Sequence, residues 1–352
     1  MKKIILFLII LLGTCSCYDY KEINNMAIIV GVGLDYQNEE YSMTYEILNI
    51  QKTNESSDQA GKSYTVTATG KTITEAEVNA EKKIAKKASF SHLEILLIGS
   101  NLANYGITDI TDYFLRNNKI TNNFYMVLCN NYTPEEILSF KSKNEQVNTT
   151  AIFNILKTSN TNISIDVKDQ FDYQIAKIKE NMGDIVIPSI TLNKEIDLDN
   201  AAVFHGDKFK YFLNNEEEQT YGLLLNKIKN NSLTDNIGAI EINHNKSNLS
   251  YKDNTININV DVLAKLEKIN DKDISLKNID DLNKLESAFK ASINERINEL
   301  MSRAKEHNCD ILNFKKVVYL SKPNTDLNQD IDYKVNINLN INRGGSLYEE
   351  LT

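Results

Sequence analysis

The strongest constraint on the fold is an amphipathic segment near the C-terminus. From about residue 280 to residue 307, apolar side chains recur at spacings of three and four, which predicts one long helix with a single buried face. The apolar positions are Leu282, Leu285, Phe289, Ile293, Ile297, Leu300 and Ala304. The best partner for this face is YKVNINLNIN at 333–342, where apolar residues alternate with asparagines. That alternation is typical of a strand buried on one side only, so we expect the helix to pack on a sheet.

The first half of the chain combines hairpins with alternating strands and helices. The segments AIIVGVGLDY (27–36) and YSMTYEILNI (41–50) predict a strand hairpin, and SYTVTAT (63–69) predicts a third strand. A helix is expected over 72–88, followed by buried strands at LEILLIG and FYMVLCN, with a helix between them that breaks at Gly106. Because hairpins interrupt the strand–helix alternation, we expect an α+β fold rather than a doubly wound one. Its mixed and antiparallel sheets, with packed helices, would form two to three subdomains.

A boundary between two halves is expected near residue 197. Residues 141–184 look helical, and the segment IPSITLNKEIDL (187–198) has the short, proline-punctuated look of a linker or edge. A second unit begins near Asn200 with the strand AAVFHG and a helix from about 216 to 229. We therefore divide the chain into a signal segment (1–16), an N-terminal domain (17–196) and a C-terminal domain (197–352) of one or two subdomains.

The N-terminus has the order of a secretory signal. Two lysines precede an apolar run at 4–12, and small residues follow. This run is shorter than the roughly 20 residues that a membrane-spanning helix needs. A bacterial lipoprotein signal ends in small residues before a cysteine, which receives diacylglycerol. Cys17 has Ser16 directly before it, whereas Cys15 has Thr14 there but better-fitting residues at the two earlier positions, so the local sequence leaves both cysteines open.

Charge and motif content argue against several functions. A formal net charge of −9 argues against nucleic-acid binding, which needs a concentrated basic face. The sequence has four histidines but no HExxH, GxSxG or phosphate-binding loop pattern, so we expect no enzyme, no metal site and no cofactor. Beyond the signal segment the cysteines are Cys129 and Cys309 when Cys17 is lipidated, and we expect two buried thiols rather than a disulfide.

Several motifs, taken in order along the chain, resemble those of the Ger(x)C family, the C-subunit lipoproteins of spore nutrient germinant receptors. The segment CYDYKEINNMAIIVGVGLD (17–35) is similar to the start of the mature family, with a tyrosine in place of the usual tryptophan. GKTITEA (70–76) resembles the family's helix entry, FSH (90–92) opens its next block, and DILNF (310–314) stands where a D-I-x-G-F turn is usual. The matching residues are Asp19, Glu22, Gly31, Gly33, Asp35, Gly70, Thr72, His92, Arg116, Phe204 and Asp310.

This resemblance implies a non-catalytic subunit that a lipid anchors to a membrane. It favours Cys17 over Cys15 as the residue that carries the S-diacylglycerol and N-acyl groups. It also implies germinant receptor A and B subunits as partners, and attachment to the outer, extracytoplasmic face of the spore inner membrane. It assigns no catalytic residue and no cofactor. The alternatives are a solute-binding lipoprotein of a transport system, which would need two similar lobes around a cleft, and an exported hydrolase.

Overall fold

The computed structural model describes residues 25–49, 62–120, 124–143, 145–158, 183–228, 231–270, 279–323, 325–327 and 331–342. The cysteines of the signal region, Cys15 and Cys17, lie outside these residues, as do the matched residues Asp19 and Glu22. What the sequence predicts for those four residues stays a prediction. Among the residues that are described, no helix is both long enough and apolar enough to cross a membrane.

Among the described residues, nine strands form the larger of two sheets. The strands are β1 (Met26–Gln37), β2 (Glu40–Leu48), β3 (Ser63–Gly70), β4 (Lys87–Ser89), β5 (Ile95–Ile98), β6 (Tyr125–Cys129), β7 (Ile185–Leu192), β8 (Ile196–His205) and β9 (Lys208–Phe212). Their order is β3-β2-β1-β5-β6-β7-β8-β9, and β4 pairs with β1. The central strands β1, β5, β6 and β7 run parallel, whereas the outer pairs are antiparallel. The antiparallel pairing of β1 with β2 confirms the predicted hairpin.

Helices cover both faces of this sheet. They are α1 (Ile73–Glu81), α2 (Ser100–Tyr105), α3 (Thr108–Arg116), α4 (Pro134–Ser139) and α5 (Asn148–Thr158), and the break between α2 and α3 falls at Gly106 as predicted. In β5, Leu96 and Ile98 join the core that includes α2 and α3, whereas Ile95 and Leu97 join the core that includes α4 and α5. A strand buried on both faces has a continuous apolar sequence, which explains why this segment shows no alternation.

A smaller sheet of four strands lies in the second half of the chain. Its strands are β10 (Asn231–Asp235), β11 (Gly238–Lys252), β12 (Thr255–Ile269) and β13 (Asp332–Asn342), with helices α6 (Asn215–Leu224), α7 (Ile279–Glu306) and α8 (Phe314–Ser321). The apolar positions predicted on α7 are buried in the same core as Leu339 and Ile341 of β13, with Leu282 partly buried at its edge. The long helix, the alternating strand and the α+β fold class are all confirmed.

Three details of the prediction need correction. The prediction of a linker or edge at 187–198 is wrong, because β7 lies between β6 and β8. Pro188 sits where the register shifts between Ile187 and Ser189, and such an irregularity tolerates a residue without a backbone N–H. The helix predicted over 72–88 ends at Glu81, since the chain continues into β4 beside β1. The strand AAVFHG belongs to the larger sheet, which extends past residue 197 through β8 and β9.

Candidate functional site

Three of the matched glycines let helices approach strands closely. A Cβ added at Gly31 would lie well under 3.0 Å from Thr149 Oγ1, and one at Gly33 equally close to Pro134. Both contacts come from helices that rest on β1, so a side chain here would push α4 and α5 outward. A Cβ added at Gly70 would likewise lie within 3.0 Å of the backbone in the first turn of α1. These glycines therefore serve packing.

Asp35 provides the N-terminal cap that α2 lacks. The helix begins after Gly99, which has no side chain to cap it. The Oδ1 atom of Asp35 accepts the backbone N–H of Leu102 at 3.1 Å and that of Tyr36 at 2.9 Å. Burial raises the pKa of this carboxyl, although the N–H donors oppose the shift. A strand residue thus stabilises the start of a neighbouring helix.

Glu46 of β2 plays the same part for α5, and no sequence motif indicates it. Its side chain is fully buried, and Oε1 accepts the N–H of Asn148 at 2.8 Å. Its Oε2 accepts the N–H of Thr149 at 2.7 Å and the hydroxyl of that residue at 2.5 Å. Ser63 donates a further hydrogen bond to Oε1, also at 2.5 Å. A glutamate in a strand would signal this role only once the start of α5 had been placed beside it.

The remaining matched residues in the first half are dispersed. Thr72 caps α1, since its hydroxyl accepts the N–H of Glu75 at 3.1 Å. His92 is exposed in a turn, and Phe204 is fully buried in the core of the large sheet. Arg116 is exposed at the end of α3, with its nearest carboxylate, that of Asp112, at 3.9 Å. Of these residues, Thr72 and Arg116 come together in one feature, a wide groove.

This groove, which we call the tyrosine groove, is lined by Tyr36, Tyr41, Tyr105 and Tyr113 and encloses about 930 Å³. It lies between α1, α3 and the end of the β1–β2 hairpin. The rings of Tyr36 and Tyr105 stack with centroids 4.1 Å apart. The hydroxyl of Tyr41 donates to Asp109 Oδ2 at 2.6 Å, which fixes that ring against α3.

A lysine at the tyrosine groove lies between two glutamates of α1. Glu77 is buried on α1, and Lys119 Nζ lies 3.5 Å from both its Oε1 atom and that of Glu81. Burial raises the pKa of Tyr41 and of Tyr113, and the carboxylates of Asp109 and Glu77 respectively add to these shifts. The hydroxyls therefore stay protonated at neutral pH. Because the two protons are directed at Asp109 and Glu77, the hydroxyl oxygens can accept hydrogen bonds from a ligand, and the stacked rings of Tyr36 and Tyr105 offer an aromatic surface.

A second feature lies where the two sheets meet, and we call its residues Asp184, His205, Cys309 and Asp310 the junction cluster. Asp184 directly precedes β7, His205 ends β8, and the other two follow α7. The N–H of Asp310 donates to Asp184 Oδ2 at 2.6 Å, and the N–H of Asp184 donates to the carbonyl of Asp310 at 3.0 Å. His205 Nδ1 lies 3.0 Å from the same carboxylate oxygen. This reciprocal pair fastens the two halves together.

Asp310 also explains the turn that the sequence motif predicts. Its carboxylate accepts the N–H groups of Phe314 at 2.7 Å and Lys315 at 2.9 Å, so it caps α8. Asn313, at the position where glycine is usual, adopts a left-handed φ of 58°, which asparagine tolerates better than most residues. Burial raises the pKa of Asp310. The replacement of glycine therefore leaves the turn intact.

A cavity of about 430 Å³ opens beside the junction cluster. Lys305, Lys315 and Tyr333 also line this cavity. Cys309 is buried next to it, its thiol lies 3.5 Å from the carbonyl of His307, and burial raises the pKa of this thiol to about 12. Cys129 is a free, buried thiol in the core beneath α4 and α5.

Comparisons with known proteins match both halves of the chain. A model described as the spore germination protein N-terminal domain matches residues 19–192, and one described as spore germination B3/GerAC like, C-terminal, matches residues 199–345. Spore germination protein B3 of Bacillus subtilis (strain 168) is 31% identical over 121 residues, which cover 33% of this chain and 32% of that protein. The chain thus spans about a third of that relative.

Two longer matches and one solved structure extend this likeness. The putative spore germination protein YfkR of the same organism is 23% identical over 75% of this chain and 73% of its own length. Spore germination protein KC, also from that strain, is 20% identical over 92% of this chain and 89% of its own length. The crystal structure of the GerBC protein superposes with a TM-score of 0.53 at 18% identity, covering 88% of this chain and 96% of that one. At that identity the superposition supports the fold alone.

Proposed function

Because the chain belongs to the Ger(x)C family of spore germination proteins, we propose that it is the lipid-anchored C subunit of a spore nutrient germinant receptor. The observation that supports this most directly is that family models match both halves of the chain, at 19–192 and 199–345. In this role the chain is not catalytic. It acts with A and B membrane subunits, and the assembled receptor starts germination when a small nutrient is present.

The geometry of the tyrosine groove is consistent with a binding role. Its rings are held by stacking and by the hydrogen bond to Asp109, and its hydroxyls stay protonated. The two sheets also differ in architecture, since in the described part of the chain one has nine strands and the other four. A solute-binding lipoprotein of a transport system would be expected to have two similar lobes, so this difference favours the receptor subunit. We propose that the sequence divides into two family regions at 17–196 and 197–352. In the fold, the second region contributes most of β8 and all of β9 to the larger sheet, and the junction cluster combines Asp184 of the first region with three residues of the second.

The anchor in this proposal is Cys17, which would carry S-diacylglycerol and an N-acyl group after removal of residues 1–16. The support is the apolar run at 4–12 followed by small residues, together with the family match that begins at residue 19. Two or three acyl chains hold a protein firmly to a bilayer, whereas one chain binds reversibly. The mature chain would therefore stay on the outer face of the spore inner membrane.

The anchor is tested by paired substitutions of the two cysteines. Cys17→Ala should leave the precursor at its full length, without incorporation of a radiolabelled or clickable fatty acid. Cys15→Ala removes a thiol two positions away and should be processed and labelled normally, which makes it the matched control. Normal labelling of Cys17→Ala, with loss of labelling in Cys15→Ala, would contradict the assignment to Cys17.

The receptor role is tested in spores. Deletion of the gene should abolish germination by one nutrient and preserve germination by a trigger that bypasses nutrient receptors. Reintroduction of the wild-type gene should restore the nutrient response, and Cys17→Ala should restore it poorly. An unchanged nutrient response in a deletion strain with no second receptor would refute the role.

A further inference from the structure

The junction cluster brings together three kinds of metal-ligating atom. A carboxylate oxygen of Asp184, an imidazole nitrogen of His205 and the sulfur of Cys309 all lie within 4.8 Å of one another. We propose that these three residues bind a divalent transition-metal ion of the zinc type between the two sheets. The sequence predicted no metal site, because the three residues belong to no recognisable ligand spacing.

The donor set favours zinc over calcium or magnesium. Calcium and magnesium prefer oxygen ligands, whereas zinc is held by cysteine sulfur, histidine nitrogen and carboxylate oxygen. Lys305 and Lys315 also line the neighbouring cavity. A hard cation attracted only by negative charge would be disfavoured beside these lysines, so direct bonds to nitrogen and sulfur must supply the affinity. Asp310 caps α8 with both carboxylate oxygens and is not needed as a ligand.

The backbone around the three donors is already fixed. The two hydrogen bonds between Asp184 and Asp310 hold the start of β7 against the residue that follows Cys309. Pairing of β7 with β8 places Ile185 opposite Phe204, so Asp184 and His205 are adjacent across the same hairpin. Ordering of ligands before the ion arrives lowers the cost of binding. The side chain of His205 is 41% exposed, so its ring has room to rotate toward an incoming ion.

Binding requires a small and balanced exchange of atoms. The hydrated ion loses water molecules as bonds form to the carboxylate, the imidazole and the sulfur, and the thiol proton of Cys309 passes to solvent. Three protein ligands leave a fourth position that faces the 430 Å³ cavity, where water or a small anion completes the tetrahedron. Because two ligands lie at the ends of β7 and β8 and the third follows α7, the ion would connect the larger sheet with the end of α7.

Cobalt(II) spectroscopy on the full-length chain tests this proposal. All samples, purified in mild detergent, carry serine at positions 15 and 17, which leaves Cys129 and Cys309 as the thiols. One equivalent of cobalt(II) should produce thiolate-to-cobalt charge-transfer absorption, and zinc(II) should abolish it by displacement. Cys309→Ala should lose the absorption. His205→Ala should bind cobalt(II) at least roughly tenfold more weakly, because even the loss of a residue that only hydrogen-bonds to a metal ligand weakens binding by that factor.

The chain offers a matched control for each ligand. Cys129 is a fully buried thiol in another core, and His92 is an exposed histidine. Cys129→Ala and His92→Ala should keep both the absorption and the affinity. Zinc(II) should also raise the thermal unfolding midpoint of the parent protein and not that of Cys309→Ala, because a ligand that binds only the folded state stabilises it.

Two results would overturn the proposal. One is the absence of thiolate-to-cobalt absorption in the parent protein at saturating cobalt(II), and the other is an unchanged absorption in Cys309→Ala. If Cys309→Ala does not fold, His205→Ala tests the same proposal, and an unchanged cobalt(II) affinity in that variant would refute it. Removal of this half-exposed ring leaves no cavity in the core, so the variant should fold. The measurement does not depend on germination, so its failure would leave the proposed receptor role untouched.

Discussion

Replacement of Glu46 by glutamine should destabilise the first half of the chain far more than its position on a strand suggests. The carboxylate accepts four hydrogen bonds, from the N–H groups of Asn148 and Thr149 and from the hydroxyls of Thr149 and Ser63. Glutamine keeps one acceptor oxygen and places an NH₂ group where the second oxygen was. At least one backbone N–H at the start of α5 would then face another donor in a fully buried position.

The size of this effect follows from the groups left without a partner. A buried donor that loses its acceptor costs about 1–3 kcal/mol. Loss of negative charge at a helix N-terminus adds about 0.3–1 kcal/mol. We therefore expect Glu46→Gln to lower the free energy of unfolding by about 1.3–4 kcal/mol. Since 1.4 kcal/mol is a factor of ten, the amides of α5 should exchange with deuterium roughly 10- to 700-fold faster where this half opens as a unit.

The assay compares Glu46→Gln with Glu75→Gln by urea unfolding and by hydrogen exchange of residues 148–152. Glu75→Gln is the same substitution at an exposed helix start. There the Oε2 atom of Glu75 accepts the N–H of Lys71 at 2.9 Å. Because water replaces that bond, Glu75→Gln should cost less than about 1 kcal/mol. Equal losses in the two variants, or unchanged exchange in α5, would refute the reasoning from buried acceptors.

Two further substitutions test packing and proton linkage. Gly33→Ala inserts a methyl group against Pro134, so we expect a loss of about 1–3 kcal/mol from overpacking, and an unchanged urea midpoint would contradict the close approach of α4 to β1. Burial raises the pKa of Glu218 from its ordinary value of 4.5 to about 7, although the hydrogen bond that it accepts from the N–H of Ala201 opposes this shift. The folded state therefore keeps a proton that the unfolded chain has released, and stability should fall by up to about 3 kcal/mol as pH rises from 4.5 to 7. Glu218→Gln should remove most of this dependence in unfolding measurements at pH 5 and pH 8, and an unchanged slope would contradict the assignment.

The elements that the sequence predicts well are those that a local pattern specifies. The apolar spacing on α7 and the alternation on β13 each describe a face that one neighbour covers, so periodicity alone identifies them. Thr133 illustrates the same point for a helix start, since its hydroxyl and Glu136, three residues later in the sequence, form a capping box before α4. The order of strands within the larger sheet is different, because it depends on pairings between distant segments that no local pattern contains.

Helix caps show why the local roles of matched residues were harder to predict. Thr72 caps the helix that it directly precedes, and its position in the sequence is enough to identify it. Asp35 and Glu46 cap helices that begin 65 and 102 residues further along the chain. Until the fold places those helices against β1 and β2, the two carboxylates look like ordinary polar residues in strands.

The sequence does not predict the junction cluster, because its residues are far apart along the chain and one of the strands that joins them was interpreted as a linker. Asp184 and His205 are 21 residues apart, and Asp184 and Asp310 are 126 residues apart. The first pair would have been visible if the segment containing Pro188 had been predicted as a strand, since the β7–β8 hairpin then brings the two residues together. Cys309 lies beside them because α7 packs on the smaller sheet and the residues after α7 contact the start of β7. A motif search examines residues with short spacing, whereas this donor set is created by a hairpin and by a contact between segments that are distant in the sequence.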